Sequence, residues 1–593
     1  MSDTIAIFVA WPYANGDSHL GHIAGAYLPA DIFARYHRLR GNRVLMVSGS
    51  DTHGTPITVR AKQAGISPRE IYEHYHDRFL GDWQQLGITF DLFTHTDTAN
   101  HHTIAQQIFR RLYDEEVMFL GMEKQLYDRE AGQFLADRYV EGTCPHCGYA
   151  GARGDQCDHC GRTLDAVELI DPRSKLTGSR PEIRETEQFF IDLPAYEAEL
   201  TDYVEGNEHW RPTVRNFVLG WLREGLQPRA MSRDISWGIP LPIEGYEEKV
   251  MYVWFEAVIG YISAAVEWAK NRGTPDEWEA WWKNPDARSY YFIGKDNTPF
   301  HTVLWGTELL GYDRSLNLPY DVPANEYLNL EGEKFSTSRN YAVWLPDFLE
   351  RYDPDPLRYY LTAIAPETKD ADFKWEEFVL RNNSELVAAW GNLVNRVLGF
   401  AYKRYDGIVP TPGDLDDADQ ALLSQIEQGF ARVGELYERV RLRDALREAL
   451  ALVREVNGYL ERKSPWKVFK SDPAAAGTTI FVAMRAIDSL KLMLAPVLPH
   501  SSQQIHDFFS YEGALFGTLQ RRTVDEDGRP HAVVEYQTLA AERDGIDRWR
   551  PSELAPGTPF AQPEPLYKLF DESVVEQEKA NLKAQLTAHA DDE

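Results

Sequence analysis

The sequence has little positive charge for its length, few cysteines and no long apolar run. Its 62 Lys and Arg residues face 92 Asp and Glu residues, which gives a formal net charge of −30. Such acidity excludes a protein that coats nucleic acid or anionic membranes indiscriminately. Residues 490–498 form an apolar stretch, but it contains Lys491 and Pro496 and is too short to span a bilayer. The first residues also lack a basic region followed by a long apolar core, so we predict a cytoplasmic protein without a membrane span.

What the sequence does contain is material for several packed cores. Its 593 residues are 43% hydrophobic and 12% aromatic, and such a length corresponds to about three or four domains. Apolar runs at 5–10 and 43–47 flank a helical pattern over 19–40, which predicts a βαβ unit in a parallel, doubly wound sheet. Strand-like runs return at 251–255 and 290–293, so we predict that an insertion splits the sheet domain.

The pattern of apolar and charged residues changes twice in the rest of the chain. Residues 378–500 have apolar positions at helical spacing, which predicts an α-helical bundle. Residues 541–593 hold 6 basic and 12 acidic residues, which predicts a solvated tail. The predicted fold is therefore α/β: a split, Rossmann-like sheet domain with a zinc-knuckle insertion, followed by an α-helical bundle. The predicted divisions are 1–118 (first half of the sheet domain), 119–230 (insertion), 231–350 (second half), 351–380 (linker), 381–520 (helical bundle) and 521–593 (C-terminal extension).

All four cysteines lie in the predicted insertion, as two Cys-x-x-Cys pairs. Cys144 and Cys147 form the first pair, and Cys157 and Cys160 form the second. Four thiolates at this spacing match a closed, tetrahedral zinc site with no open position for chemistry. Two disulfides are the alternative, which a cytoplasmic address disfavours. We therefore predict one structural Zn²⁺ per chain.

Two segments suit the binding of a nucleotide. His19 and His22 are three residues apart where the first strand passes into the first helix, so both can donate to an α-phosphate, and Gly21 lets a nucleotide approach. Lys334 to Arg339 follow a later strand and combine two cations with three hydroxyls, which suits a clamp for a triphosphate. A polar turn with satisfied histidines and a solvated loop are the alternatives for the two segments.

Taken together and in this order, His19-Leu20-Gly21-His22 and Lys334-Phe335-Ser336-Thr337-Ser338 resemble the two signature motifs of class I aminoacyl-tRNA synthetases. Segments 12–16, 50–56, 252–254, 260–261, 292–296 and 300–301 are further similar to the methionyl-tRNA synthetase family. This resemblance runs from about residue 5 to residue 469. It implies a catalytic sheet domain, a linker that contacts the tRNA stem and a bundle that reads the anticodon.

The resemblance also implies roles for individual residues. His19, His22 and Lys334 would be catalytic, and the residues implied in ATP binding are Tyr13, Asn15, Gly16, His19, Gly21, His22, Lys334, Phe335, Ser336, Thr337 and Ser338. Asp51 would receive the ammonium of methionine, and the other implied methionine-binding residues are Trp11, Tyr13, Trp254, Ala257, Tyr261 and His301. Asn392, Arg396 and Trp466 would contact the anticodon. Thr337 departs from the family pattern, because a lysine is usual at that position.

The implied activity is methionine–tRNA ligation. ATP with Mg²⁺ and L-methionine would give methionyl-adenylate and pyrophosphate, and the methionyl group would pass to the 3′ end of tRNA(Met). The segment 381–470 holds 14 basic and 13 acidic residues, so the overall acidity leaves a locally neutral surface for one tRNA. Two alternatives stay open: a class I synthetase for isoleucine, valine, leucine or cysteine, and a non-catalytic zinc-knuckle RNA-binding protein. We expect a monomer, because few residues follow Arg543.

Overall fold

The first half of the sheet domain has the βαβ organisation that its sequence predicts. The computed structural model describes residues 2–136, 139–154, 157, 159–160, 164–337, 339–526 and 528–592. Three parallel strands come first, and β2 pairs with both β1 and β3. Ile23–Tyr27 forms a wider helical turn between the first two helices. The elements are β1 (Thr4–Val9), α1 (Leu20–His22), α2 (Leu28–Leu39), β2 (Arg43–Ser50), α3 (Thr55–Ala64), α4 (Pro68–Leu86), β3 (Leu92–His95) and α5 (Ala99–Asp114).

The insertion is built around a long antiparallel ribbon. Its two longest strands, β4 and β9, pair along nearly their whole length, and a three-stranded sheet of β7, β6 and β8 lies at its far end. That small sheet carries the cysteine pairs. The elements are β4 (Met118–Asp128), β5 (Gln133–Phe134), β6 (Val140–Thr143), β7 (Ala152–Arg153), β8 (Ile170–Ser174), β9 (Glu182–Ile191), α6 (Glu197–Gly206), α7 (Pro212–Glu224) and β10 (Arg229–Ala230).

The second half returns to the same sheet, because β13 pairs in parallel with β1. The predicted strand at 251–255 is mostly wrong: only two of its residues are extended, and a buried helix begins at Val253. Apolar residues around a fully buried helix leave no alternation to tell it from a strand. The elements are β11 (Ser232–Arg233), β12 (Val250–Met251), α8 (Val253–Asn271), α9 (Glu279–Trp282), β13 (Arg288–Gly294), α10 (Trp305–Tyr312), β14 (Ala324–Asn325), β15 (Leu328–Leu330), β16 (Glu333–Lys334), α11 (Leu345–Arg351), α12 (Pro354–Ala363) and β17 (Ala371–Phe373).

A helical domain follows, so the predicted combination of a parallel α/β sheet with a C-terminal helical domain is confirmed. The long apolar pattern that begins near 421 is two helices, which meet where Val440 adopts a positive φ of 52°. Asn382–Gly391 forms a wider helical segment before α14. The helices are α13 (Trp375–Arg381), α14 (Asn392–Arg404), α15 (Asp417–Glu438), α16 (Leu442–Lys463), α17 (Pro465–Val468), α18 (Pro473–Leu494) and α19 (Pro499–Phe508).

The C-terminal part differs most from the sequence prediction. It forms β18 (Leu519–Glu526), β19 (Arg529–Tyr536), α20 (Ala540–Arg543) and α21 (Ser573–Asp592). The β18–β19 hairpin pairs antiparallel with β3, and Trp549, Leu554 and Phe560 are buried. The predicted solvated tail is therefore wrong. The prediction rested on the net charge of the segment, whereas the few apolar residues between the charged ones pack against the rest of the protein and hold the segment in place.

The seven-stranded sheet has the order β14-β13-β1-β2-β3-β19-β18. Its carboxyl edge, where β1, β2 and β13 end, receives the turn 10–19 and the start of α8. Ligands bind at this edge in doubly wound sheets, because loops of opposite winding diverge there. Among the described residues, no helix combines the length and apolarity that a membrane span requires.

Candidate active site

The turn between β1 and α1 holds two histidines in a reciprocal helix cap. His19 Nδ1 accepts the backbone N–H of Gly21 at 3.1 Å, and His22 Nδ1 accepts the backbone N–H of His19 at 3.3 Å. The two rings stack with their centroids 3.7 Å apart. Because each Nδ1 is an acceptor, a neutral ring must carry its proton on Nε2.

The environment of both histidines favours that neutral form. Burial, and then the neighbouring His22, hold the pKa of His19 well below its ordinary value. Desolvation by the surrounding protein also lowers the pKa of His22, although this residue keeps an exposed edge. Each Nε2–H can therefore donate to an oxyanion without carrying a charge of its own. Asn15 and Gly16 lie half-buried in the same turn.

The second predicted motif lies directly against this turn. Phe335 stacks on His19 with ring centroids 4.8 Å apart. The loop then folds back, since Ser336 exchanges backbone hydrogen bonds of 2.9 Å with Tyr341. Two further backbone bonds join the segment after the loop to the turn: Leu20 donates to Val343 at 3.1 Å, and Leu345 donates to Ser18 at 2.7 Å. The two motifs, more than 300 residues apart in the chain, thus form one structure.

The cations of the loop face solvent. Lys334 is exposed, and its Nζ lies 5.1 Å from the centre of the Tyr327 ring. Thr337 and Arg339 are exposed as well, and the guanidinium of Arg339 is 4.0 Å from the carboxylate of Glu333. Ser338 lies outside the described residues. The loop therefore offers positive charge that water screens until a ligand arrives.

Asp51 directly follows β2 and connects the turn to the aromatic residues of the predicted methionine pocket. Its backbone N–H donates to Pro12 at 2.8 Å, and its backbone oxygen accepts from Ala14 at 3.1 Å, which places it beside Tyr13. The carboxylate is 2% exposed and accepts the backbone N–H of His53 at 3.1 Å. Burial, followed by the nearby carboxylate of Glu256, raises the pKa of Asp51 well above its ordinary value. A buried carboxylate in that position is matched to a ligand that brings a positive charge.

Aromatic rings form the walls of the pocket beside Asp51. Trp254 stacks on Phe300 with centroids 4.2 Å apart and meets the edge of Tyr13 at 6.2 Å. Trp11 meets the edge of Tyr261 at 6.4 Å. Ala257 is buried and lies between Trp254 and Tyr261 on the same helix, α8.

Glycines are needed where these rings approach the backbone. A Cβ atom on Gly49 or Gly260 would overlap Trp11, and one on Gly54 would overlap Tyr13. Gly54, which follows Thr52-His53, therefore has a packing reason, because a side chain there would displace the Tyr13 ring.

A hydrogen bond at the base of the pocket fixes the state of a third histidine. Tyr261 Oη and His301 Nε2 are 2.7 Å apart, and His301 Nδ1 lies 2.9 Å from the backbone oxygen of Asn297. Nδ1 must donate to that carbonyl, so Nε2 accepts from the tyrosine hydroxyl. Burial lowers the pKa of His301 to about 4, in agreement with a neutral ring.

Behind Asp51 lies a buried network that the sequence prediction missed. Glu256, one turn before Gly260 on α8, accepts from His53 Nδ1 at 2.9 Å and from His101 Nε2 at 2.7 Å. Burial opposes protonation of His53, but Glu256 and Asp97 outweigh it and raise its pKa to about 10. Glu256 lies between the matched segments 252–254 and 260–261, and this position was the sequence signal for its role.

The four cysteines converge at the far end of the insertion. The Sγ atoms of Cys144 and Cys160 are 3.9 Å apart, and those of Cys147 and Cys157 are 3.6 Å apart. All four sulfurs lie within 4.8 Å of one another, and none is in a disulfide. Zinc–sulfur bonds of about 2.3 Å in a tetrahedron separate sulfurs by about 3.8 Å. The cluster can therefore hold one zinc ion.

The predicted anticodon residues meet on one surface of the helical domain. Asn392 and Arg396 are exposed on α14, and the Arg396 guanidinium lies 5.0 Å from the centre of the Trp466 ring. Trp466 is half-buried and packs edge-on against Phe400 at 5.3 Å. One face of this indole is therefore covered by a cation.

Comparison with known proteins agrees with this arrangement. Residues 5–398 match the family model described as tRNA synthetases class I (M), and residues 409–533 match the anticodon binding domain of methionyl tRNA ligase. A methionine–tRNA ligase of Thermomicrobium roseum is 61% identical over 99% of this chain and 100% of its own length. One from Roseiflexus sp. (strain RS-1) is 51% identical over 99% and 100%.

A solved structure is similar over the same extent. The structure of Mycobacterium tuberculosis methionyl-tRNA synthetase in complex with methionyl-adenylate superposes with a TM-score of 0.75 at 26% identity, and the match covers 96% of this chain and 100% of that one. The resemblance predicted from the two signature motifs is confirmed. The chain belongs to the methionyl branch of the class I tRNA synthetase family.

Proposed function

We propose that this protein activates L-methionine with ATP and transfers the methionyl group to the 3′ end of tRNA(Met). The observation that carries the proposal is that one turn serves two sites. Its helical end stacks His19 on Phe335 of the cationic loop, and its other end places Tyr13 beside Asp51 of the aromatic pocket. An α-phosphate at the histidines and a carboxylate from the pocket would thus meet at the edge of the sheet.

In the first step, an oxygen of the methionine carboxylate forms a bond with the α-phosphorus, and the bond from that phosphorus to pyrophosphate breaks. The Nε2–H groups of His19 and His22 donate to the α-phosphate oxygens as charge develops on them. Lys334, Arg339 and the loop hydroxyls hold the leaving pyrophosphate. A Mg²⁺ ion bound together with ATP would neutralise part of the phosphate charge. The proposed ATP contacts also include Asn15, Gly16 and Gly21, where the backbone is accessible.

In the second step, the oxygen of a ribose hydroxyl at the tRNA 3′ end forms a bond with the carbonyl carbon of the adenylate, and AMP leaves with the electron pair of the broken C–O bond. The proton of the hydroxyl passes to a phosphate oxygen of the departing AMP. No side chain forms a covalent bond with the substrate in either step. Rate acceleration then depends on position and on preformed donors, which agrees with the rigid caps at His19 and His22.

Selection of methionine rests on the buried pocket. Asp51 receives the ammonium group, and the thioether lies among aromatic faces and edges, which suit a polarizable sulfur. The proposed lining is Trp11, Tyr13, Trp254, Ala257, Tyr261 and His301. A purely apolar slot separates side chains that differ by one methylene by only about 1–3 kcal/mol, so the ordered Tyr261–His301 pair adds a polar feature that an aliphatic analogue cannot use.

We propose one structural Zn²⁺ on Cys144, Cys147, Cys157 and Cys160. The cluster lies at the tip of the ribbon, and Cys144 and Cys157 belong to its small apolar core with Val140 and Ala152. The ion would supply cross-links that such a small core lacks. Metal analysis of freshly purified protein should give about one zinc per chain, and removal by a chelator should loosen the insertion, measured as faster proteolysis within 119–230.

We propose that the helical domain binds the anticodon of tRNA(Met). Asn392 and Arg396 offer polar groups one helical turn apart, and Trp466 offers a ring on which an unstacked base can lie. The segment around them is nearly neutral, in contrast to the acidic total. We also propose that the protein is a cytoplasmic monomer. Light scattering in solution, which measures the molar mass, tests the oligomeric state.

The deciding experiment is ATP–pyrophosphate exchange with each of the twenty amino acids in turn. Exchange that depends on methionine, followed by charging of tRNA(Met), is the expected result. Exchange with isoleucine, valine, leucine or cysteine instead would assign a different synthetase, and no exchange with any amino acid would leave only the RNA-binding alternative.

A further inference from the structure

The C-terminal hairpin reaches the back of the proposed methionine pocket. Strand β19 pairs with β3, with Val534 opposite Phe93. His76 on α4 lies with Nε2 2.7 Å from the backbone oxygen of Ala532 and with Nδ1 2.8 Å from Ser50 Oγ, next to Asp51. The hairpin is therefore part of the sheet that carries the site, although it comes more than 400 residues later in the chain.

The hairpin also contacts helix α8, which carries Trp254, Ala257 and Tyr261. His531 Nε2 lies 3.0 Å from Glu267 Oε1, and the other oxygen of Glu267 accepts from Thr94 Oγ1 at 3.0 Å. Glu267 is 1% exposed and His531 is 9% exposed. A buried carboxylate that lost this hydrogen-bond partner would be left partly unsatisfied, which is costly, so the contact constrains where α8 can lie.

Two further contacts from the hairpin also constrain the position of α8. Glu526 accepts the backbone N–H of Asn100 at 3.0 Å, at the start of α5. Asn100 in turn donates to the backbone oxygen of Ser263 on α8 at 2.8 Å. Near the end of α8, Asn271 donates to Glu535 at 3.1 Å. The hairpin thus contacts α8 directly at two points and indirectly, through α5, at a third.

From these contacts a continuous hydrogen-bonded path leads to Asp51. His101, the residue after Asn100, bonds to Ser263 Oγ at 2.7 Å and to Glu256 at 2.7 Å. Glu256 bonds to His53, whose backbone N–H donates to Asp51. Every member of this path is buried. A shift of α8 would therefore move the ammonium site and the aromatic wall together.

We propose that the β18–β19 hairpin braces the methionine pocket, with His531 as a positioning residue that acts through Glu267 on α8. The inference rests on the proposed methionine pocket. His531 does not touch the substrate; it holds the helix on which the pocket residues are arranged. Because Trp549, shortly after the hairpin, donates to the backbone oxygen of Phe430 in the helical domain at 2.9 Å, the brace is also anchored outside the sheet domain.

The test uses the full chain and steady-state ATP–pyrophosphate exchange. His531→Ala is expected to raise KM for methionine about three- to tenfold, with kcat and KM for ATP within about twofold, because a contact to a charged group is lost away from the reacting atoms. His531→Gln, which keeps an N–H donor near the position of Nε2, should restore KM to within about twofold of the unmodified protein.

Arg521→Ala is the matched control. Arg521 pairs with Asp77 on α4 from the outer strand of the same hairpin, and among the described residues no hydrogen bond or ion pair joins it to α8, so its loss should leave KM for methionine unchanged. If His531→Ala is poorly folded by circular dichroism, Glu267→Gln replaces it, since this change keeps the shape of the side chain and removes its charge. The same rise in KM is expected.

An unchanged KM for methionine in the well-folded variants would overturn the proposal that the hairpin braces the pocket. An equal rise in KM for methionine and KM for ATP would also overturn it, because such a result indicates general loosening of the protein. Failure of the proposed function is distinct, because the unmodified protein would then show no methionine-dependent exchange at all.

Discussion

The two sides of the proposed active site are built in opposite ways. On the methionine side, Asp51, His53, Glu256, Tyr261 and His301 are all buried and joined by hydrogen bonds within the protein. On the triphosphate side, Lys334, Thr337 and Arg339 are exposed on a loop. Preformed contacts suit a small ligand that must be told apart from its analogues, whereas exposed cations suit a pyrophosphate that must be bound and then released.

The difference is also electrostatic. On the methionine side, Glu256 has His53 and His101 as partners, whereas the buried Asp51 accepts a backbone N–H and is available for the charge of a ligand. The loop cations are screened by water until ATP binds, and their contribution depends on salt. Changes on the methionine side should therefore alter KM for methionine, and changes on the loop should alter KM for ATP.

The largest expected effect lies where the two sides meet. His22→Ala removes a preformed donor to the α-phosphate and should lower kcat of pyrophosphate exchange about 10²- to 10³-fold, while methionine binding by calorimetry changes little. His22→Gln, which keeps an amide donor near Nε2, should recover part of the rate. Wild-type exchange by His22→Ala would refute the proposed role.

Asp51→Asn should give the next largest effect, confined to the methionine side. Loss of a charge-assisted contact to the ammonium group, worth about 1.5–3 kcal/mol, should raise KM for methionine about 10- to 100-fold. KM for ATP is the internal control and should stay within about twofold. An equal rise in both values would show that the two sides are not independent.

The buried network predicts a pH dependence of stability. The pKa of His53 is raised from 6.5 to about 10 in the folded protein, so its imidazolium stabilises the fold fully below pH 6.5. This contribution is lost as the pH rises toward 10. The free energy of unfolding, measured by urea titration, should fall across this range. His53→Gln should flatten the fall, and an equally steep curve in that variant would exclude His53 as its source.

Thr337→Lys should give the smallest effect. It restores a cation at an exposed loop position, and an exposed charge pair is worth about 0.2–1 kcal/mol. We expect KM for ATP to fall by about 1.4- to 5-fold, and the gain should shrink in high salt. Lys334→Ala is the contrasting variant, since it should raise the same KM. A change in KM for methionine in either variant would contradict the separation of the two sides.

The two signature motifs and the cysteine pairs were predictable because each is a local pattern. Reciprocal capping by His19 and His22 needs only residues within one turn, and Cys-x-x-Cys spacing already brings two sulfurs close together. The βαβ unit was predictable for the same reason, since hydrophobic periodicity is read over short windows.

The sequence prediction failed where a residue's role depends on distant partners. Glu256 belongs to the buried network behind Asp51 because His53, 203 positions away, and His101 form hydrogen bonds with it. The hairpin was not predicted as strands within the C-terminal extension 521–593, because β19 pairs with β3 only in the folded chain. Segment 251–255 was misassigned because a short apolar run has the same pattern at the start of a helix as in a buried strand.

The sequence alone therefore determined the family, the two signature motifs, the four clustered cysteines and the general α/β-plus-helical plan, since these follow from local spacing and composition. Only the tertiary structure decided that Phe335 stacks on His19 and that His531 contacts Glu267 across 264 positions. It also decided that the buried side chains of His53, Glu256, His101 and Ser263 form a network behind Asp51. The physical reason is that burial sets the charge and orientation of these side chains, and burial is a property of the packed chain rather than of any short segment.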